Sequence, residues 1–368
     1  MHNYYPFSTC SNPCAPFDFV ICTKVCFFAK NLLQWLYSFG IIIQNFSMGK
    51  DFPHKEGNVM KKVFIDGKAG TTGLRIYDRL AGRDDITLLT LPDQLRKDPV
   101  AKKKMIDECD ILFMCLPDAA AVETLSLVNN PNTVVIDTST AHRTNPDFTY
   151  GFPELDPEIA KALPTAKRIA VPGCHASGFI ALVAPLVKNG FLSRDTALTC
   201  HSVTGYSGGG KGMIADYEQP DELLTAPRQY ALTQSHKHLP EMQKMTGLTT
   251  APVFCPIVSN FYSGMEVTVP LFAKDLLKGG IEDIKELYRQ TYPSSLVKYQ
   301  ENAAENGFLS AAAYSGTDQM EITVEGNEQR ILLIARYDNL GKGASGAAVE
   351  CLNYVLGTDP STNLVIKE

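Results

Sequence analysis

The sequence lacks the features expected of a nucleic-acid-binding or disulfide-stabilised protein. Its net charge is -6, and no basic run is long enough to form a nucleic-acid surface. Ten cysteines are present, but those beyond residue 26 are scattered, which favours reduced thiols in the cytoplasm over a disulfide framework. No repeat or low-complexity stretch occurs after residue 60. With 45% hydrophobic and 20% charged residues, the 368-residue chain is typical of a globular protein of two domains.

The first 59 residues differ in composition from the rest of the chain, being rich in Phe, Tyr and Cys. Residues 31–49 (NLLQWLYSFGIIIQNFSMG) carry no formal charge and give a weak signal for a membrane or signal segment, which polar residues interrupt. Two Cys-x3-Cys pairs, at 10/14 and 22/26, admit a metal or disulfide clip. We favour an appended or misassigned leader with the folded protein beginning near Met60, and we expect no stable membrane association.

From Met60 onward, strands and helices alternate. The sequence predicts buried strands at 63–66, 86–91, 111–117 and 133–139. It predicts helices that end near Gly82 and that span DAAAVETLSLV. This alternation indicates an α/β fold with a parallel, doubly wound sheet.

Beyond residue 173 the pattern changes. The sequence predicts helices at 174–189, near 281–292 and at GKGASGAAVECLNYVLG. It predicts strands at TALTCHSVTG, MEVTVPLFAK and QRILLIARYDN. This mixture indicates an α+β domain with a partly antiparallel, mixed sheet.

Three glycines, Gly67, Gly70 and Gly73, lie between the first strand and the first helix. Glycine at such a turn lets backbone N–H groups approach a pyrophosphate at the helix N-terminus. The spacing G-x-x-G-x-x-G is not the commonest dinucleotide motif, so a plain tight turn stays open as an alternative.

The second strand ends in TLP, without the acidic residue that usually holds the ribose of NAD. Asp93 follows late, and Arg96 and Lys97 come next. These cations suit a 2′-phosphate, which favours NADP. An ordinary charged surface is the alternative interpretation.

Cys174 follows a Pro-Gly pair and opens an apolar helix in the stretch VPGCHASG. A helix N-terminus favours the thiolate by roughly 1 kcal/mol, which is under one pKa unit. A nucleophilic role therefore needs a further base or cation nearby. Taken alone, Cys174 is more typical of a buried filler. Its neighbour His175 should direct its side chain elsewhere on the helix.

The stretch SHKHLPEM offers such a base. Pro240 suits the first turn of a helix, which places His238 at the N-terminus, where the helix dipole keeps an imidazole neutral. The His236-x-His238 pair, completed by Glu241, could instead bind a metal. We expect no metal, because no other ligand cluster is visible.

Together these stretches resemble the N-acetyl-γ-glutamyl-phosphate reductase family, in its shorter type. The resemblance runs from Met60 to the C-terminus and does not include the first 59 residues. Its motifs occur in the right order and are KVFIDGKAGTTGLRI, DTSTAHR, YGFPELDP, VPGCHASGFIALVAPL, GYSGGGKGMIADYE, HKHLPEM and DNLGKGASGAAVECLN.

The resemblance implies a Rossmann-type NADP domain at 60–172 with 335–368, and a catalytic and dimerisation domain at 173–334. It implies that Cys174 is the nucleophile and that the acid/base is in HKHLPEM, where we prefer His238 to His236. The implied cofactor-binding residues are Gly67, Gly70, Thr71, Thr72, Gly73 and Asn339. Candidate cations for the substrate, each equally suited to a surface or structural role, are Arg143, Lys211 and Arg228.

The implied activity is the NADPH-dependent reduction of N-acetyl-γ-glutamyl phosphate to N-acetylglutamate 5-semialdehyde, through a thioester on Cys174, in arginine biosynthesis. We expect a cytoplasmic homo-oligomer, a dimer or tetramer, that acts on a small molecule. An aspartate-semialdehyde dehydrogenase or an aminoadipyl-phosphate reductase would share Cys174 and the glycine turn. A non-catalytic NAD(P) sensor is less favoured, because a sensor needs no base beside its thiol.

Overall fold

The computed structural model describes residues 60–219 and 221–367, which belong to one compact unit. The expectations about residues 1–59, including the cysteine pairs and the uncharged segment, lie outside the described residues. Within the described ranges, no helix is long and apolar enough to cross a membrane.

The first half of the described chain forms a sheet in which every strand pair is parallel. Its strands are β1 (Lys61–Asp66), β2 (Ile86–Leu89), β3 (Ile111–Met114), β4 (Val134–Asp137), β5 (Thr149–Tyr150) and β6 (Arg168–Ala170). Its helices are α1 (Thr71–Leu80), α2 (Pro99–Glu108), α3 (Asp118–Ser126) and α4 (Pro157–Ala162). The strand order β2-β1-β3-β4-β6-β5 confirms the predicted Rossmann-type, doubly wound sheet.

The chain changes direction across this sheet at β1. Strand β1 pairs with β2 on one side and with β3 on the other. In an open parallel sheet, a crevice forms at the carboxyl ends of the strands on either side of such a switch point. The glycine turn follows β1 directly, so it lies at this crevice.

The second half forms a mixed sheet and supplies four more helices to the described structure. Its strands are β7 (Thr199–Gly205), β8 (Arg228–Gln229), β9 (Val253–Ser259), β10 (Met265–Phe272), β11 (Val297–Tyr299), β12 (Met320–Gly326) and β13 (Arg330–Tyr337). Its helices are α5 (Cys174–Lys188), α6 (Gly210–Tyr217), α7 (Leu239–Thr246) and α8 (Ile281–Thr291). The order is β11-β12-β13-β10-β7-β9-β8, with parallel pairing only at β11–β12 and β7–β9.

Helix α5 is the centre of the second core. Its sequence carries no charged residue before Lys188, and residues 175–186 are all buried. A helix that is apolar on every side is stable only when surrounded, and α5 packs between the mixed sheet and the helices α7 and α8. This packing fixes the position of Cys174 at its first turn.

The last helix returns to the first sheet. A π-turn at Gly341–Ser345 leads into α9 (Gly346–Leu356), where the sequence predicted one continuous helix. The buried side chains of α9, among them Ala348, Val349 and Leu352, join the core that covers β1, β3 and β4. The connector at residues 338–345 therefore links the two sheets.

Several element ends differ from the expectations. The strands β2 and β3 end earlier than their apolar runs, because Leu91 and Leu116 line a cleft instead of joining the sheet. Strand β4 ends at Asp137, two residues before its predicted end. The predicted domain boundary at residue 335 falls inside β13, since the run ILLIARY shows no break there. Six of the described strands have no counterpart among the predictions: β5, β6, β8, β9, β11 and β12.

Candidate active site

A cleft opens at the carboxyl ends of β1 and β3. It has a volume of about 830 Å³ and is lined by the turn that follows β1, including Gly67 and Gly70. At this edge α1 begins without a side-chain cap. The backbone N–H groups of Thr71, Thr72 and Gly73 therefore have no intrahelical acceptor and are available to an anion.

Two of the three glycines are required sterically. Gly67 has φ +86°, a conformation that favours glycine, and a side chain there would overlap the Cys115 carbonyl. A side chain on Gly73 would overlap the Gly67 carbonyl, so the first turn of α1 could not approach β1 as closely. The turn thus has the close backbone approach that pyrophosphate binding needs.

The same cleft holds the two cations predicted from the sequence. Arg96 and Lys97 both line it, and the nearest carboxylate, on Asp93, is 4.0 Å from Arg96 and almost fully exposed. Such a weak, solvated pair leaves the guanidinium free to meet a phosphate. Lys211, from α6 in the second half of the chain, also lines this cleft.

Cys174 lies at the same edge of the parallel sheet as the cleft. It follows the carboxyl end of β6 by four residues and is the first residue of α5. Thr138, which follows β4, donates a hydrogen bond to the Met114 carbonyl at the end of β3 (3.1 Å) and accepts one from Arg143 through its carbonyl (2.9 Å). The carboxyl ends of neighbouring strands therefore connect the cleft to the cysteine.

Arg143 is buried and uses each of its nitrogens within the protein. Its Nε donates to the Val171 carbonyl (2.8 Å) and its Nη2 to the Thr138 carbonyl (2.9 Å). Its Nη1 donates to Oε2 of Glu241 (3.1 Å), and Glu241 Oε1 accepts from the Tyr150 hydroxyl (2.7 Å). Glu241, considered from the sequence as a metal ligand, is thus the acceptor of a buried network.

These groups converge on Gly173, the residue before Cys174. The Gly173 amide donates to Glu241 Oε1 (2.8 Å). A methyl group placed on Gly173 would overlap Arg143 and lie 2.7 Å from Nε2 of His238. The imidazole of His238 therefore lies beside the backbone that carries the thiol, with Nε2 turned towards it.

Three histidine rings pack around this point. The ring of His238 meets that of His236 at a centroid distance of 4.7 Å and that of His175 at 5.7 Å. Both ring nitrogens of His175 are engaged, Nδ1 with Ser202 (2.7 Å) and Nε2 with Tyr230 (2.6 Å). Because both nitrogens already have protein partners, His175 is not free to take the thiol proton.

His238 is suited to accept a proton. It caps the N-terminus of α7, with Pro240 in the first turn as predicted. Burial, and next the Arg143 charge, hold the pKa of His238 well below its usual range, so the ring is neutral at pH 7. Burial also lowers the pKa of His236, to about 4. However, Nδ1 of His236 already accepts a hydrogen bond from the His238 amide (3.2 Å), so this nitrogen is not free to accept a proton from the thiol.

The acidity of Cys174 differs from the expectation. Burial raises the pKa of the Cys174 thiol, and this effect outweighs the opposing influence of Arg143. The helix N-terminus was expected to favour the thiolate, but a fraction of a pKa unit does not offset the loss of solvent. The thiol is therefore protonated at rest, and its activation depends on the neutral His238.

Comparison with known proteins gives the family. Two family models match: the semialdehyde dehydrogenase NAD binding domain over residues 89–163 and the semialdehyde dehydrogenase dimerisation domain over residues 174–339. An N-acetyl-gamma-glutamyl-phosphate reductase of Chelativorans sp. is 45% identical over 303 residues, covering 80% of this chain and 98% of its own. The chain belongs to the N-acetyl-γ-glutamyl-phosphate reductase family. N-acetyl-gamma-glutamyl-phosphate reductase 2 of Pseudomonas putida is 42% identical over 305 residues, covering 80% and 96%.

Solved structures show that this reductase chain shares a fold with aspartate semialdehyde dehydrogenases. Aspartate semialdehyde dehydrogenase II of Vibrio cholerae matches with a TM-score of 0.63 at 15% identity, covering 81% of this chain and 99% of its own. The Candida albicans enzyme, solved with NADP, matches with a TM-score of 0.56 at 14% identity and the same coverage. The resemblance predicted from the sequence motifs is confirmed.

The reductase structure separates the three candidate substrate cations. Arg143 is beside Cys174, but its guanidinium is engaged by protein acceptors. Lys211 lines the cofactor cleft, which favours a cofactor phosphate over the substrate. Arg228 is exposed on β8 and donates to the Tyr217 hydroxyl (3.0 Å). Asn339 accepts a hydrogen bond from the Gly264 amide (2.9 Å) and donates one to the Ser207 hydroxyl (3.0 Å). It thereby fixes the glycine-rich loop that follows β7, at residues 206–210, beside the connector.

Three further residues of the reductase site have no counterpart among the predictions: Lys237, Tyr337 and Gly178. Lys237 is exposed between the two histidines, and its charge acts on both Cys174 and His238. The Tyr337 hydroxyl donates to the Cys174 carbonyl (2.5 Å) and accepts from the Gly178 amide (3.0 Å). The position of Lys237 within HKH was a visible signal, whereas Tyr337 comes from a distant strand that no local pattern connects with Cys174.

Replacing Gly173 by Ala should slow alkylation of Cys174 by iodoacetamide about tenfold. The added methyl group displaces Arg143, so the thiol loses a favourable charge, and each unit of pKa corresponds to a tenfold loss of thiolate. The rate is measured by mass spectrometry of the Cys174 peptide. Gly280→Ala is the matched control, because its methyl group meets nothing closer than 3.9 Å. Equal rates in both variants would contradict this interpretation.

Proposed function

We propose that this chain reduces N-acetyl-γ-glutamyl phosphate to N-acetylglutamate 5-semialdehyde and phosphate with NADPH, through a thioester on Cys174. The observation that carries the proposal is the position of Cys174, at a helix N-terminus beside the neutral His238 and on the same sheet edge as the anion-binding turn. The names of the relatives supply the substrate.

In the first step the Cys174 thiol gives its proton to Nε2 of His238 and attacks the acyl carbon. The carbon–oxygen bond to phosphate breaks, phosphate leaves, and a thioester forms. Because both groups are uncharged at rest, the ion pair appears only as the reaction proceeds. A covalent intermediate divides one difficult reduction into two easier steps.

In the second step the thioester carbonyl is reduced. NADPH, which the glycine turn, Arg96 and Lys97 would hold in the cleft, would supply the hydride. The resulting thiohemiacetal anion then expels Cys174, the carbon–sulfur bond breaks, and the protonated His238 returns its proton to sulfur. The aldehyde leaves, and Cys174 and His238 are restored to their uncharged forms.

The substrate's phosphate needs a cation that protein groups do not already engage. Arg143 is buried and binds three protein acceptors, so its charge acts on the thiol more than on the ligand. Lys237 is exposed beside Cys174 and His238. We therefore assign the phosphate contact to Lys237 in place of Arg143, and we do not favour Arg228, whose guanidinium donates to the Tyr217 hydroxyl.

The assay that tests the activity runs the reaction backwards. With NADP, phosphate and N-acetylglutamate 5-semialdehyde, the wild type should form NADPH, and Cys174→Ala should form none. His238→Asn should lower kcat by roughly 10² to 10⁴, the usual contribution of an acid/base group. His236→Asn is the control and should stay within about tenfold of the wild type. No turnover by the wild type, or undiminished turnover by Cys174→Ala, would reject the proposal.

We also propose that the cofactor is NADP and that Arg96 and Lys97 contact its 2′-phosphate. The double variant Arg96→Gln/Lys97→Gln should raise KM for NADPH roughly tenfold, about 1.4 kcal/mol, and leave KM for NADH unchanged. Lys167→Gln, which precedes β6 at the opposite edge of the sheet, is the matched control. An equal rise in KM for NADPH and for NADH would show that these cations do not contact the 2′-phosphate.

The two sheets are proposed to be the cofactor and catalytic domains. Residues 60–172 with the C-terminal helix α9 enclose the first core, and the chain from 173 to β13 forms most of the second, to which Tyr150 and Phe152 also contribute. The cysteines among the described residues are all free, which supports the expected cytoplasmic location.

We further propose that the mixed sheet mediates a homodimer. Side chains on the inner face of this sheet are buried against α5. The outer face of β7, β9, β10 and β13 leaves partly exposed the side chains of Val203, Cys255, Ile257, Thr268 and Leu332. A broad face of this kind suits a second copy of the same surface, and the matching family model describes a dimerisation domain.

Leu332→Asp should convert the dimer to a monomer in sedimentation-velocity experiments. Leu332 is exposed in the single chain, so the change has little effect on its fold, but it buries a charge in the proposed interface. Val122→Asp, at an exposed position on α3, is the control and should remain dimeric. A Leu332→Asp protein that stays dimeric would place the interface elsewhere.

A further inference from the structure

Lys342 is a buried lysine in the connector between the two sheets. It lies in the π-turn at Gly341–Ser345, and its side chain is 3% exposed. Its Nζ binds Glu154 at 2.6 Å and also binds Glu350. Glu154 follows β5 in the first half of the chain, and Glu350 lies in α9. One ammonium group thus joins the π-turn and α9, which are continuous, to the segment that follows β5.

The charges of this cluster do not balance. Two carboxylates share one ammonium group, and Oε2 of Glu154 is buried without a hydrogen-bond partner among the described residues. Burial and the nearby Glu154 raise the pKa of Glu350 well above its usual range. The charges of Glu154 and Glu350 outweigh the effect of burial, raise the pKa of Lys342 and keep it charged.

The residue after Lys342 touches the nucleophile. A methyl group on Gly343 would lie 3.2 Å from Cβ of Cys174 and 3.4 Å from its Cα. The backbone of the π-turn therefore forms one wall of the space around the thiol. The Lys342 side chain departs towards Glu154 and Glu350, and its ammonium lies 5.4 Å from the centre of the Phe152 ring.

The two ends of the turn have other supports. Asp338 accepts from the Leu340 amide at 2.7 Å, and Ser345 binds both the Leu340 carbonyl and Arg79. A π-turn is less stable than the α-helix into which it continues, so it persists only where contacts hold it. Between the two ends, Lys342 is the side chain that ties the turn to the first half of the chain.

We propose that Lys342 is a positioning residue that holds the π-turn against Cys174 and so fixes the direction of the thiol. It touches neither substrate nor cofactor. The proposal rests on Cys174 being the nucleophile of the proposed reaction. Loss of the Lys342 contacts lets the turn relax, so the thiol is less often directed at an electrophile, while the cofactor cleft and Lys237 are unchanged.

The test compares Lys342→Met with Arg83→Met. Methionine keeps the length of the side chain and removes the charge. Arg83 is a matched control, because its side chain is 2% exposed, it is paired with Asp85 and it also contacts α9, through Asn353, but at a distance from the π-turn. Both variants are purified as the full chain, and their thermal unfolding is recorded.

Lys342→Met should lower kcat at least tenfold and change KM for NADPH and for the acyl phosphate by less than about threefold. It should slow alkylation of Cys174 by iodoacetamide by a similar factor, measured on the Cys174 peptide. Arg83→Met should keep both rates near those of the wild type. The proposal would be overturned if Lys342→Met and Arg83→Met lowered kcat equally. It would also be overturned if Lys342→Met raised KM and left kcat unchanged.

A second variant covers the case in which Lys342→Met does not fold. Lys342→Gln/Glu154→Gln removes the ammonium group together with the carboxylate whose other oxygen has no partner, and it leaves amides that can hydrogen-bond to each other. It should show the same loss in kcat and alkylation, and wild-type rates would overturn the proposal. Alkylation needs no substrate, so it tests the role of Lys342 independently of the proposed reaction. If the wild type did not turn over N-acetylglutamate 5-semialdehyde, the proposed reaction would be rejected, and the alkylation rates would still test the positioning role.

Discussion

The site depends on the buried ion pair between Arg143 and Glu241. Through its guanidinium, Arg143 joins the carboxyl ends of β4 and β6 to the first turn of α7. Glu241 completes the arrangement by accepting from Tyr150 and from the Gly173 amide. Removing one member of such a pair typically costs about 3–5 kcal/mol, because the other charge is left buried and uncompensated. Few other single contacts in the described chain bring so many segments to the nucleophile.

The same arginine explains the resting state of the nucleophile and its base. Burial disfavours every charged form, so it raises the pKa of Cys174 and lowers that of His238. Arg143 opposes the first effect and adds to the second. The result is an uncharged thiol beside an uncharged imidazole, with a fixed cation ready to stabilise the thiolate once the proton has moved. Because the cation is already in place, little reorganisation is needed at that moment.

The sequence predicted the parts of this architecture that depend on local patterns. The glycine turn, the parallel strands, the start of α5 at Cys174 and the helix behind His238 were all visible as spacing and periodicity. The need for a base beside Cys174 was predicted, but the direction of its pKa shift was predicted wrongly, because burial is a property of the packed chain and helix position is a property of the sequence. The partners of Glu241 were also hidden, since Arg143 and Tyr150 precede it by more than 90 residues. The π-turn differs from an α-helix in that its backbone hydrogen bond, from the Ser345 amide to the Leu340 carbonyl, spans one more residue. No residue pattern in GKGASG indicates this difference.

The position of β13 has a consequence for communication between subunits. Leu332 faces outward from this strand, whereas Tyr337 faces inward and binds the Cys174 carbonyl. In the proposed dimer, one strand would therefore separate the neighbouring subunit from the helix that carries the thiol. A shift of that strand when one subunit binds substrate would be felt by its neighbour through a single layer of backbone.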